Sequence, residues 1–176
     1  SNEESVKSGL KWFPTQKGGD FRKWYGNLDY IVNWENDGYE MKYDNYMGKR
    51  VRSHNYNGDL GFKKAITWTT ISSGNFACRF SGDGFIYDTA GPFFHVTDDR
   101  KLYMLLAFLD SKVANFYLKI RNPTINFPPG YIQAIPFSKE CQTDQIENLS
   151  KSCTDMSKND WDAFETSWDF KKHPLV

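Results

Sequence analysis

Phe80-Ser81-Gly82-Asp83-Gly84 spells F-x-G-x-G. With that spacing, glycines let a strand-to-helix turn approach S-adenosylmethionine in amino-methyltransferases. Here the following residues, Phe85-Ile86-Tyr87-Asp88, are β-formers rather than a helix start. The Asn-Pro-Pro-Tyr motif that completes such a site is missing, since Asn122-Pro123 is followed by Thr124. The segment therefore reads as a hairpin turn. Glu40-Met41-Lys42 has the E-x-K form of metal-dependent nucleases, with Asp29 as a conceivable upstream acid, but no Pro-Asp precedes it. A solvated helix face accounts for it. Lys17-Gly18-Gly19 lacks the rest of a phosphate loop, and no G-x-S-x-G elbow occurs. Cys78, Cys141 and Cys153 are odd in number and far apart, neither a disulfide framework nor a zinc pattern. Reduced thiols in a cytoplasmic protein fit them. His54, His95 and His173 have no ligand spacing. The reading assigns no catalytic, cofactor or metal residue.

A different chemistry is spread along the chain. Basic and amide side chains alternate with aromatics at Lys17, Arg22, Lys23, Trp24 and Tyr25, through residues 49–57, and again at Lys63, Lys64, Asn75 and Arg79. Phosphates are met by Lys and Arg, and base edges by Arg, Asn or Gln in bidentate geometry. An ordinary solvated surface has the same composition, so the pattern needs a scaffold to give it meaning.

The scaffold is organised by residues 98–137. From Leu102, the positions of Leu105, Leu106, Leu109, Val113, Phe116, Tyr117 and Ile120 lie on one face at helical period. Asp98 or Asp99 caps the start, Lys119 and Arg121 suit the end, and Pro123 stops the helix near Arg121. One amphipathic helix over 98–121 is predicted, followed by a short extended piece and the Pro128-Pro129-Gly130 turn. Before it, residues 29–34 alternate as a strand, and runs at 65–71, 75–80, 84–87 and 92–96 suggest a meander of neighbouring strands. Asn36-Asp37-Gly38 is a turn signal, and 39–47 could be helical. Residues 48–61 read as an exposed loop. Helices are predicted at 142–156 and 157–168, the second with Trp161, Phe164 and Trp168 in line.

The chain has 176 residues, enough for one sizeable core. Lys plus Arg and Asp plus Glu number 22 each, so a generally basic coat is excluded but a local basic face is not. Aromatics at 17% suit a core rich in half-buried rings. No apolar run approaches ~20 residues, so no membrane span is expected. The polar start is not a signal peptide, lacks Met and suggests a piece of a longer chain.

Several long stretches carry a family resemblance. They are Lys11-Trp12-Phe13-Pro14, Lys17-Gly18-Gly19, Phe21-Arg22-Lys23-Trp24-Tyr25-Gly26-Asn27 and Val32-Asn33-Trp34-Glu35-Asn36-Asp37-Gly38. Ile66-Thr67-Trp68-Thr69, Ile71-Ser72-Ser73-Gly74, Phe85-Ile86-Tyr87-Asp88 and Ala90-Gly91-Pro92 follow. Then come Leu109-Asp110-Ser111-Lys112-Val113-Ala114-Asn115, Asn122-Pro123-Thr124-Ile125-Asn126-Phe127, Trp161-Asp162, Phe164-Glu165-Thr166-Ser167-Trp168-Asp169-Phe170 and His173-Pro174-Leu175. Across nearly the whole chain this resembles the target-recognition region of the BREX phage-exclusion adenine-specific DNA methyltransferases, and more loosely the fused restriction–modification enzymes. Two positions depart from that family: Asp110, where Asn is usual, and Gly130-Tyr131-Ile132, where Gly-Asp-Ile is usual.

The resemblance implies a DNA-reading module. The catalytic S-adenosylmethionine domain would precede it in the parent, which would methylate adenine in phage defence. The expected fold is α+β: a twisted, mainly antiparallel sheet backed by the long amphipathic helix. Residues 1–10 are expected to be disordered, 11–137 to be the recognition domain, and 138–176 a helical C-terminal extension. Lys17, Arg22, Lys23, Lys49, Arg50 and Arg52 are the candidates for DNA backbone contacts, and Asn55, Asn57, Asn75 and Arg79 for base reading. The expected partners are double-stranded DNA, the catalytic domain of the same parent and other phage-defence proteins, with no membrane. The alternative is a protein-interaction module, docking through Trp161–Trp168. A third reading, a competent methyltransferase fragment, predicts S-adenosylmethionine binding by this chain.

Overall fold

The computed structural model describes residues 1–43 and 58–175. Among these residues, six strands form two three-stranded sheets rather than one meander. In the first, β1 (Trp12–Gln16) lies between β2 (Tyr30–Asn33) and β5 (Ile86–Tyr87). β1 and β2 are antiparallel with Phe13 opposite Val32, whereas β1 and β5 are parallel with Thr15 opposite Ile86. Pro14 is tolerated inside β1 because β5 pairs only with Thr15 and Gln16, leaving Pro14 a neighbour on one side. In the second sheet, β3 (Ala65–Trp68) is central between β4 (Cys78–Ser81) and β6 (Phe93–His95), all antiparallel. The link from β4 to β5, expected as a hairpin turn, instead carries the chain from one sheet to the other.

Every residue of β3 is buried, which explains its unbroken apolar and threonine composition. Its Ile66 and Trp68 meet Phe76, Cys78, Leu102, Leu106 and Leu109 in the main core. A smaller core of Trp34, Phe62 and Ile86 underlies the first sheet. The sheets are joined by a bridge between Trp24 and Arg79 and by Gln16 Nε2 donating to Ser81 Oγ at 3.3 Å.

The predicted 98–121 helix is two helices. Asp98 caps α3 (Asp99–Leu109), its carboxylate accepting from Arg100 N at 2.9 Å. Ser111 then restarts the chain with an extended backbone, and its Oγ accepts from Ala114 N at 3.1 Å to cap α4 (Lys112–Arg121). The apolar stripe is divided by that break. Leu102, Leu106 and Leu109 are in the core, but Val113, Phe116 and Ile120 are 68%, 68% and 67% exposed. α4 instead buries Ala114 and Leu118.

At the N-terminus, α1 (Asn2–Ser8) is closed by a capping box between Ser1 and Glu4, and it packs on α2 (Glu35–Tyr43). The start of α2 is a left-handed turn at Asn36, Asp37 and Gly38, with φ of 51°, 60° and 68°, as the turn signal implies. After α4 comes the five-residue α5 (Pro129–Gln133). The two predicted C-terminal helices are one, α6 (Asp144–Trp161), followed by turns. Those turns are held by Lys158, whose Nζ reaches Asp162 at 2.7 Å and Asp169 at 2.9 Å, and by Ser167 donating to Asp162. α6 lies along α3, where Arg100 pairs with both Glu147 and Asp144. No helix among the described residues is long and apolar enough to cross a membrane.

Candidate nucleic-acid interface

Three irregular segments, residues 17–27, 69–77 and 122–127, meet at one edge of the second sheet. The first is fixed by its backbone. Gly18 has φ +84°, and a Cβ there would sit 2.7 Å from Ala90 O. Thr69 Oγ1 donates to Gly19 O at 3.0 Å, and Asn27 Nδ2 to Asp20 O at 2.9 Å. Trp24 N donates to Cys78 O and Phe80 N to Trp24 O, so the loop runs along β4 as a short extra rung. The third segment is tied by Asn122, whose Nδ2 donates to Asn126 O at 2.6 Å while its Oδ1 accepts from Thr124. Ser72 N donates to Ile125 O and Phe127 N to Thr70 O, clamping 69–77 against 122–127.

Of the residues singled out in the sequence, Lys49, Arg50, Arg52, Asn55 and Asn57 lie outside the described residues. Lys17 is exposed, its Nζ 5.2 Å from the centre of the Tyr30 ring. Asn75 is exposed, and its side chain has no hydrogen bond among the described residues. The others are occupied by the protein itself. Arg22 pairs with Asp160 at 3.2 Å and lies 4.9 Å over the Trp161 ring. Lys23 Nζ donates to Asp110 O at 2.6 Å. Arg79 is 1% exposed beneath the 17–27 loop, donating to Arg22 O and Thr69 Oγ1, each at 3.5 Å. Burial lowers its pKa to about 10. In this arrangement Arg79 offers no face to a base edge, and Arg22 and Lys23 position the loop instead. Trp161, half-buried under Arg22, is likewise part of the internal packing of α6.

The groove that remains open was not legible as a site. It has a volume of about 190 Å³ and lies between residues 73–76, α4 and residues 122–127. Leu118, Phe76 and Phe127 line it from the core, Ile125 from one wall, and Asn75, Asn115 and Lys119 from its rim. Among the described residues no acid borders it. α4 carries Lys112, Lys119 and Arg121 and no acid. Lys112 and Lys119 make no ion pair among the described residues, and Arg121 lies 6.0 Å from the Tyr117 ring centre. A signal existed in the sequence: ten residues with three cations and no carboxylate. It was absorbed by reading Lys119 and Arg121 as partners of the helix C-terminus.

The motifs that suggested catalysis have other uses here. Glu40 accepts from Asn33, and Lys42 pairs with Asp37. Among the described residues no group of three or more His, Cys, Asp or Glu is placed to hold a metal. The three cysteines are free thiols. S-adenosylmethionine does not fit the Phe80–Gly84 segment: Gly84 N donates to Phe62 O, Asp83 accepts from Lys64 N, and the chain continues as β5 rather than a helix.

An α+β module with a cation-bearing helix beside a sheet-borne loop cluster corresponds along nearly its whole length to one segment of much larger adenine-specific methyltransferases. The relatives are PglX and BrxX, to one segment of which this chain is similar over nearly all of its own length. It is 40% identical over 178 residues to adenine-specific methyltransferase PglX of Lacticaseibacillus casei (strain Zhang), covering 100% of this chain and 15% of that protein. It is 37% identical over 172 residues to adenine-specific methyltransferase BrxX of Escherichia coli O9:H4 (strain HS), covering 97% of this chain and 13% of that protein. No family model matches the chain. The family resemblance read from the sequence is therefore borne out.

Proposed function

We propose that this chain is the DNA-recognition module of an adenine-specific DNA methyltransferase serving phage exclusion. The carrying observation is the segregation of charge in a molecule whose net charge is zero. Three cations of α4 and Lys17 have no acidic partner among the described residues, while the acids of α6 are largely spent on cations: Asp144 and Glu147 on Arg100, Glu147 also on Lys151, and Asp160 on Arg22. Unpaired cations on a rigid frame are what phosphates require.

The parent would supply S-adenosylmethionine and the methyl-transfer chemistry. Extraction of an adenine from the stack needs a grip on the neighbouring duplex, and this module would provide it. Lys17, Lys112, Lys119 and Arg121 would meet the backbone. The cations and amides of residues 49–57 remain expected contributors on sequence grounds. Arg22, Lys23 and Arg79 would hold the loop that presents Lys17.

Fluorescence anisotropy on random-sequence duplex from low to physiological salt tests this. Binding should weaken steeply with salt, and Lys119→Gln should reduce the log–log salt slope by about 1. Absence of binding at the lowest salt would sink the proposal for this chain.

A further inference from the structure

We infer that the groove between residues 73–76, α4 and residues 122–127 receives a single nucleobase of the bound DNA, with Lys119 on the adjoining phosphate. This rests on the DNA-recognition reading and adds where, and with which atoms, a base is read.

Size is the first argument. Whole small-molecule ligands occupy pockets of roughly 300–1,000 Å³. A groove of about 190 Å³ takes a fragment, such as one planar ring system, but not a complete nucleotide cofactor. Chemistry is the second. Leu118, Phe76 and Phe127 give the groove an apolar base, and Ile125, more than half exposed, gives it an apolar wall. These surfaces suit the face of a heterocycle and would gain nothing from a phosphate.

Polar capacity is the third. The Asn75 amide is free to donate and accept together, the bidentate pattern that matches an adenine edge. Asn115 Nδ2 is committed to Ser111 O at 3.1 Å, which leaves its Oδ1 as an acceptor for an exocyclic amine. Lys119, with no acid bordering the groove among the described residues, is the cation for the phosphate next to that base. The site is also pre-organised: Asn122 and Thr124 are satisfied by each other and by Asn126 O, so the 122–127 wall does not depend on a ligand for its shape.

Photo-crosslinking of this chain to a randomised duplex carrying 8-azidoadenine, with adducts mapped by mass spectrometry, tests the inference. Adducts should fall on peptides containing residues 73–76 or 115–127. They should drop at least fivefold in Asn115→Ala combined with Lys119→Gln, whose folding is checked by circular dichroism. Adducts confined to other segments, such as 17–27 or 49–57, would overturn the groove as the base site while sustaining DNA recognition. Neither adducts nor retained duplex at low salt would overturn both. Undiminished adducts at 115–127 in the double variant would remove the roles given to Asn115 and Lys119.

Discussion

Asp110 is a carboxyl placed where charge is costly. It is buried at the α3–α4 break, where its Oδ1 accepts from Cys78 N at 3.0 Å and its Oδ2 has no partner among the described residues. Burial raises its pKa to about 7, against the opposing pull of the Cys78 amide and Lys23. An unfolded Asp titrates near 3.9. Between those values the folded chain binds the proton more tightly than the unfolded one, so stability falls as pH rises from about 4 to about 7 and levels off above. Asp110→Asn should abolish that component, which amounts to at most about 1.4 kcal/mol per pH unit within the window. The difference in urea midpoint between the two proteins, measured from pH 4 to 8, should therefore grow in favour of Asn with pH; a difference independent of pH would refute the assignment. Arg79 makes the complementary case. Arg79→Met should leave the salt slope of DNA binding unchanged, because the guanidinium is buried and directed at Thr69 and the Arg22 carbonyl. At this scale the sequence is least transparent. An arginine between Cys78 and Phe80 looks the same whether it faces DNA or a loop laid over its strand.

Elements were more legible, and their misreadings have common causes. β2 and β6 were readable from apolar runs bounded by turn residues, and the Asn36-Asp37-Gly38 turn from residues that accept positive φ. The 98–121 helix was overextended because its apolar period runs through the break without interruption. The information was in Asp110-Ser111, a buried acid followed by a capping hydroxyl, which periodicity does not weigh. Ser111→Ala should cost about 1 kcal/mol in thermal or urea unfolding. β1 was hidden by Pro14, and the parallel β1–β5 pairing by the distance between its strands in sequence. The end of α6 was misjudged because Trp161, Phe164 and Trp168 keep helical spacing although the chain after Trp161 is turns. Gly26 fixes that junction: its φ is +118°, and a Cβ would lie 2.4 Å from Arg22 Cδ and 2.8 Å from Trp161 Cε3. Gly26→Ala should lower the melting temperature by several degrees and increase hydrogen exchange in the last two turns of α6.

The whole molecule brings together what its composition averages away. A balance of 22 cations and 22 acids concealed a helix with three cations and no acid. The same helix turns Val113, Phe116 and Ile120 to water, about two-thirds exposed each, though their spacing alone marks them as core. Such a surface limits colloidal behaviour rather than folding. Prepared by itself, the module should self-associate as its concentration rises, through contacts between α4 stripes. Phe116→Ser with Ile120→Ser should bring the sedimentation profile back to a single concentration-independent boundary and leave the unfolding free energy within about 0.5 kcal/mol of the unsubstituted chain. The purity and shelf life of this chain are thus set by a few side chains on about two turns of helix, and a sample intended for titration with DNA is best made with those side chains already replaced.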